Sequence, residues 1–143
     1  MKIVVPLDLS DVAARAIAPA TVLASALGDE LILVTVSGLR LRADLVAQAS
    51  SEQVEVPELI ESYLRSVASD LDGVAADYSL IRGDDAAEAL VEYAGGDGVR
   101  MVVMATHGRS GFERWRLGSI AERVVRHSPV PVTVIPRMKS EWI

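Results

Sequence analysis

Apolar residues along this chain fall into two rhythms: short unbroken runs of strand length, and longer stretches where they recur every three or four positions. Residues 2–7 (KIVVPL) are the first run, and Asp8 and Ser10 behind it each suit the cap of a helix starting near Asp11. That helix is expected to reach residue 27, with Ala13, Ile17, Ala20, Val22, Leu23 and Leu27 at helical spacing and Gly28 as its natural stop. Residues 31–36 (LILVTV) then form an apolar run, as a strand covered on both faces requires. Residues 37–56 mix small and polar side chains without a period and read as a long crossover loop or a poorly ordered insertion. Pro57 suits the first turn of a helix to about residue 71, which lays Leu59, Ile60, Tyr63, Leu64 and Val67 on one face. A third strand is predicted near 78–82. Gly83, Asp84 and Asp85 turn the chain and cap a helix to about Ala94, ended by the glycines at 95, 96 and 98. Residues 99–105 (VRMVVMA) make the fourth strand, and a glycine-bearing loop leads to a helix at about 119–127. Residues 130–135 are the last strand, bracketed by Pro129, Pro131 and Pro136.

Strands alternating with helices at this spacing predict an open parallel sheet with helices on both faces, joined by right-handed crossovers. In such sheets ligands sit beyond the carboxyl ends of the strands, which directs attention to the loops after Leu7, Val36, Arg82 and Ala105. No repeat or linker interrupts the pattern, so residues 1–143 read as one domain. The composition agrees, since 143 residues of which half are hydrophobic can bury a core without covalent help. The chain has no cysteine, which removes a disulfide framework, a thiolate zinc site and a cysteine nucleophile together.

The opening MKIVVPLDLS lacks the apolar core and cleavage site of an export signal, and no apolar run approaches the ~18–20 residues that cross a bilayer. A soluble cytoplasmic protein without a membrane partner is expected. The net charge of −6 argues against coating nucleic acid, which needs clustered lysine and arginine. The charge is also uneven, about −11 over residues 1–99 and about +5 from Arg100 onward, so an anion is welcome in the last third.

Candidate chemistry concentrates at 104–119 (MATHGRSGFERWRLGS), a loop that leaves one buried strand and ends at a helix start. Gly108 and Gly111 let the backbone turn and approach a ligand closely. Gly118 and Ser119 put first-turn amides, the positive end of a helix dipole and a hydroxyl at one point, an arrangement suited to phosphate. The plainer reading is a turn followed by a helix cap. Arg109, Arg114 and Arg116 would neutralise phosphates or simply face solvent. Trp115, set among charges, would cover a ligand or meet a partner subunit. His107, in the same loop, would take a chemical role beside a terminal phosphate or, more simply, pack against or cap its own loop, and His127 ends a helix where an imidazolium favours the dipole.

The segment MVVMATHGRSG, its spacing to LGS, the sequel IAERVVRHSPVPVTVIP and the opening VVPLDLS resemble the universal stress protein family. The resemblance runs from the first strand to the last and is weakest between residues 37 and 75. The family's motif is glycine, two residues, glycine, nine residues, then glycine with serine or threonine. Gly108, the spacer 109–117, and Gly118 with Ser119 match it, whereas Ala105 stands in place of the first glycine.

The resemblance implies a three-layer α/β/α domain with a five-stranded, mostly parallel sheet of the Rossmann-like, adenine nucleotide alpha hydrolase-like class. It implies ATP or another adenine nucleotide as ligand, held by Pro6, Leu7, Asp8, Val36, Ala105, Gly108, Arg109, Gly111, Gly118, Ser119 and Ile120. Pro6 and Leu7 would wall the base, the Val36 backbone would bond its edge, and Asp8 would face the ribose or a metal. Mg²⁺ would be held through the phosphates, since no dedicated metal-ligand cluster is present. There is no GxxxxGK[ST] loop, nucleophile elbow or histidine pair, so catalysis is at most slow ATP hydrolysis or autophosphorylation. The expected role is a nucleotide-dependent sensor read by a regulatory protein. The alternative is a nucleotide-free interaction module, with Ala105 as the sign of a lost pocket. Either form is expected to be a homodimer, because the last strand should lie at a sheet edge and dock on its own copy through Val130, Val132, Thr133 and Val134.

Overall fold

The computed structural model describes residues 1–38, 43–106 and 118–136. Among the described residues five strands form one sheet: β1 (Lys2–Pro6), β2 (Glu30–Ser37), β3 (Ala76–Arg82), β4 (Val99–Ala105) and β5 (Val132–Ile135). Their spatial order is β3-β2-β1-β4-β5 and every pairing is parallel. The helices are α1 (Asp11–Ala14), α2 (Ile17–Leu27), α3 (Ala43–Glu52), α4 (Val56–Ser69), α5 (Ala86–Ala94) and α6 (Ser119–His127).

Alternation along the strands assigns each side chain to one of two cores. Ile3 and Val5, Leu31 and Leu33, and Val103 point to one face, where Ala16, Ala20 and Ala24 of the α1–α2 stretch and Ile60 and Leu64 of α4 cover them. Val4, Ile32, Val34, Val102 and Met104 point to the other, beneath Ala87, Leu90 and Ala94 of α5 and Ala121 and Val124 of α6. The result is three layers, helices on both sides of a sheet whose central strands are apolar on both faces.

Three expectations require correction. The helix expected over 11–27 is broken at Arg15–Ala16, because Pro19 has no N–H for the Arg15 carbonyl and its ring crowds that oxygen. The stretch 37–56, expected to be loop, contains α3, of which only Ala49 is fully buried among the described side chains. The last strand begins at Val132 rather than at Val130. Val130 sits in a turn where its amide donates to Ser128 Oγ at 3.2 Å and its carbonyl accepts from the same hydroxyl at 2.8 Å.

The amino ends of the strands are closed by charge. Asp29, whose side chain is only 2% exposed, accepts from Arg100 Nε and, at 3.3 Å, from Arg100 Nη2. It also accepts from the Met1 amino group at 2.9 Å. Gly28, just before it, ends α2 in the left-handed region at φ 68°.

Candidate functional site

The chain crosses from one side of β1 to the other between β3 and β4, so the strand order reverses between β1 and β4. In open parallel sheets that reversal opens a crevice at the carboxyl ends, and a cleft of about 360 Å³ lies there. Its lining begins with Pro6, Leu7 and Asp8 at the end of β1, Ala13 of α1, and Val34 and Val36 of β2. It continues with Ala86 and Leu90 of α5, Met104, Ala105 and Thr106 at the end of β4, the N-cap Gly118, and Ser119, Ile120 and Ala121 of α6.

Short hydrogen bonds hold the β1 end in place. The Leu7 amide donates to the Val34 carbonyl at 2.8 Å, and the buried Thr35 hydroxyl donates to the Leu7 carbonyl at 2.8 Å. Leu9 follows with a φ of 66°, a left-handed conformation that costs a branched residue of the order of 1 kcal/mol. This turn leaves Asp8 at the cleft and brings Ser10 back to it. Asp8 Oδ1 accepts from the Ser10 amide at 3.0 Å and from the Ser10 hydroxyl, while Ser10 Oγ accepts from the Ala13 amide at 3.1 Å and caps α1. The carboxylate is thereby oriented before any ligand arrives.

On the opposite wall Gly118 is the N-cap of α6, and its φ of −55° and ψ of 155° are open to any residue. Its N-cap glycine has no side chain to bond the first-turn amides, and Ser119 and Ile120 are exposed, so among the described residues these amides and the positive dipole end stand at the cleft. A Cβ built on Gly118 meets nothing within 4 Å, so its absence keeps cleft space open rather than relieving a clash. Gly38 shows the contrary case, since a Cβ there would lie 2.5 Å from the Gly83 carbonyl oxygen. That close approach joins the ends of β2 and β3, where the Gly83 amide donates to the Ser37 carbonyl at 3.0 Å.

Between these walls Val34, Val36, Leu90 and Met104 form an apolar slot. The cleft thus offers a dry face for a flat ring, one oriented carboxylate for hydroxyl groups, and a helix end for an anion. Among the described lining residues Asp8 is the only ionisable one, so they contain no pair for acid–base relay. No group of three or more potential metal ligands occurs among the described residues.

Eight positions expected from the sequence line this cleft: Pro6, Leu7, Asp8, Val36, Ala105, Gly118, Ser119 and Ile120. Gly108, Arg109 and Gly111 lie outside the described residues, as do His107, Arg114, Trp115 and Arg116. Sequence reasoning missed Ala13, Val34, Ala86, Leu90, Met104, Thr106 and Ala121. A signal existed for part of this set: Val34 shares a strand face with Val36, Thr106 follows Ala105, and Ala86 follows the capping Asp85.

The sequence profile of the universal stress protein family matches residues 1–136. The chain belongs to the universal stress protein family. A universal stress protein of Methanocaldococcus jannaschii is 33% identical over 144 residues, which cover 98% of this chain and 84% of that relative. Among solved universal stress proteins, one from Burkholderia pseudomallei is 28% identical and superimposes with a TM-score of 0.71 over 95% of this chain and 96% of its own. Another, solved in complex with cAMP, is 26% identical with a TM-score of 0.69 over 94% and 96% of the two chains. No helix among the described residues is long and apolar enough to cross a membrane.

Proposed function

We propose that the cleft binds an adenine nucleotide, ATP in the first instance, and that the protein acts in the cytoplasm as a nucleotide-dependent sensor or regulator of a stress response. The observation that carries this reading is the amino end of α6, with glycine as its N-cap, facing an apolar slot at the point where the strand order reverses. The base would lie against Val36 and Leu7, the ribose hydroxyls would meet the Asp8 carboxylate, and the phosphates would take the amides following Gly118. Mg²⁺ would ride on the phosphates, since Asp8 is the one carboxylate in the described lining. A relative 26% identical to this chain was solved with cAMP, which supports an adenine ligand of this kind. The direct test is acid release of nucleotide from the purified protein and its identification by chromatography. An adenine nucleotide near one equivalent supports the reading; none, with no uptake from added ATP, removes it.

Ala105 favours a second reading, a nucleotide-free module that works through protein contacts. Its methyl group lines the cleft where the family motif has glycine. Under either reading we propose a homodimer, because β5 is an edge strand of four residues with Val132, Thr133 and Val134 half-buried in the single chain. Light scattering on the native protein and on Val132→Lys decides it. A monomer at every concentration, or a dimer indifferent to Val132→Lys, removes the edge from the account.

A further inference from the structure

Beyond the cleft lining, the described residues place one ion pair across its rim. Asp85 caps α5, its Oδ1 accepting from the Glu88 amide at 3.0 Å. The same carboxylate accepts from Arg123 Nη1 of α6, at 2.9 Å on Oδ1 and 2.8 Å on Oδ2. Asp85 directly precedes Ala86, and Arg123 lies one helical turn beyond Ser119 on the same face, so each partner sits immediately behind a cleft-lining residue. Beneath the pair, α5 and α6 pack through Ala87, Leu90, Ala121 and Val124. Alanines permit close approach but interlock little, so the amino ends of the two helices need another constraint. The ion pair between Arg126 and Glu122 supplies none, because both residues belong to α6.

We propose that the Arg123–Asp85 pair is a latch that holds the amino ends of α5 and α6 together and sets the width of the cleft between them. Arg123 is then a positioning residue for the amides of Ser119 and Ile120. The capping amide of Glu88, and after it the Arg123 guanidinium, keep the Asp85 carboxyl below its ordinary range, so the latch is charged at neutral pH. Because one nitrogen serves both carboxylate oxygens, a lysine ammonium can replace the guanidinium here. The latch concerns the helices whatever the ligand; only its effect on affinity rests on the nucleotide reading above.

Amide hydrogen exchange and ATP titration test it in the intact protein, comparing wild type with Arg123→Gln, Asp85→Asn, the double variant and Arg123→Lys. Asparagine retains the helix cap, so Asp85→Asn removes the pair alone. The Glu122 amide, which donates to the Gly118 carbonyl at 2.9 Å, reports on the first turn of α6. Its exchange should quicken about threefold in both single variants, no further in the double variant, and return to wild type in Arg123→Lys, the size expected of a half-exposed pair. ATP affinity should weaken by the same factor, and the difference should vanish in high salt. Unchanged exchange at Glu122 in either single variant overturns the latch whether or not ATP binds. Exchange effects that add in the double variant overturn it as well, by making the two residues independent. Wild type that does not take up ATP defeats the nucleotide reading and leaves the exchange measurement to decide the latch.

Discussion

The two ends of the sheet are built on opposite plans. At the amino ends Asp29 is buried and surrounded by the Arg100 guanidinium and the Met1 amino group, and the chain turns tightly at Gly28. At the carboxyl ends the corresponding space is a cleft, with a helix whose N-cap is a glycine and a residue, Leu9, in a left-handed conformation. One end closes its charges on one another; the other places a helix dipole and the Ser10-bonded Asp8 carboxylate at a cleft. Under the proposed function the difference would place stability at one end and recognition at the other, so substitutions at the two ends should separate in what they change.

The largest separation is expected at Gly118. Gly118→Val should leave the fold intact, because the backbone there suits any residue and a Cβ meets nothing. The branched side chain would occupy cleft space and weaken ATP binding by about thirtyfold or more, read by calorimetry. A thermal midpoint that falls with the affinity would show that this end carries stability too.

Asp29→Asn should do the reverse. It leaves Arg100 without its buried counter-charge and should lower the thermal midpoint by about 5 °C while ATP affinity stays unchanged. The pH dependence has a defined sign. The hydrogen bond from Arg100, with that of the Met1 amino group, holds the Asp29 carboxyl below its ordinary value in the folded protein. Its contribution is therefore present above the ordinary carboxylate range and is lost as pH falls through that range toward the depressed native value. Acid titration of the midpoint should be flatter in Asp29→Asn than in wild type below about pH 5. Parallel curves would contradict the assignment.

The smallest effect is expected at Ala105. Ala105→Gly removes one methyl group from the cleft and should tighten ATP binding or leave it within about threefold, at a cost in stability of about 0.5–1 kcal/mol. Clear weakening would mean that this methyl group forms part of the ligand contact, and would count against the reading of Ala105 as an obstacle.

Much of this architecture was legible because each core strand is apolar on both faces. β4 and α6 have the boundaries expected from their runs, Val99–Ala105 and Ser119–His127, since flanking glycine and proline punctuate both. α3 was not legible, because it fully buries only Ala49 among its described side chains and glutamine, serine and acid residues crowd its few apolar positions. The break before Ile17 was written in Pro19, but the apolar period around it concealed the interruption. At the cleft, positions next to glycine or at strand ends were readable. Leu90 and Ala121 were not, because apolar helix residues look alike whether they face a core or a cleft.

The central claim is that the open end of the sheet takes an adenine nucleotide, and the thermal midpoint of the wild-type protein under an ATP–Mg²⁺ titration tests it most directly. A ligand bound only by the folded state should raise stability by about 2.7 kcal/mol at a hundredfold excess over Kd, with a smaller rise for GTP at the same concentration. A midpoint unmoved by millimolar ATP, in protein shown to carry no nucleotide already, would contradict the account.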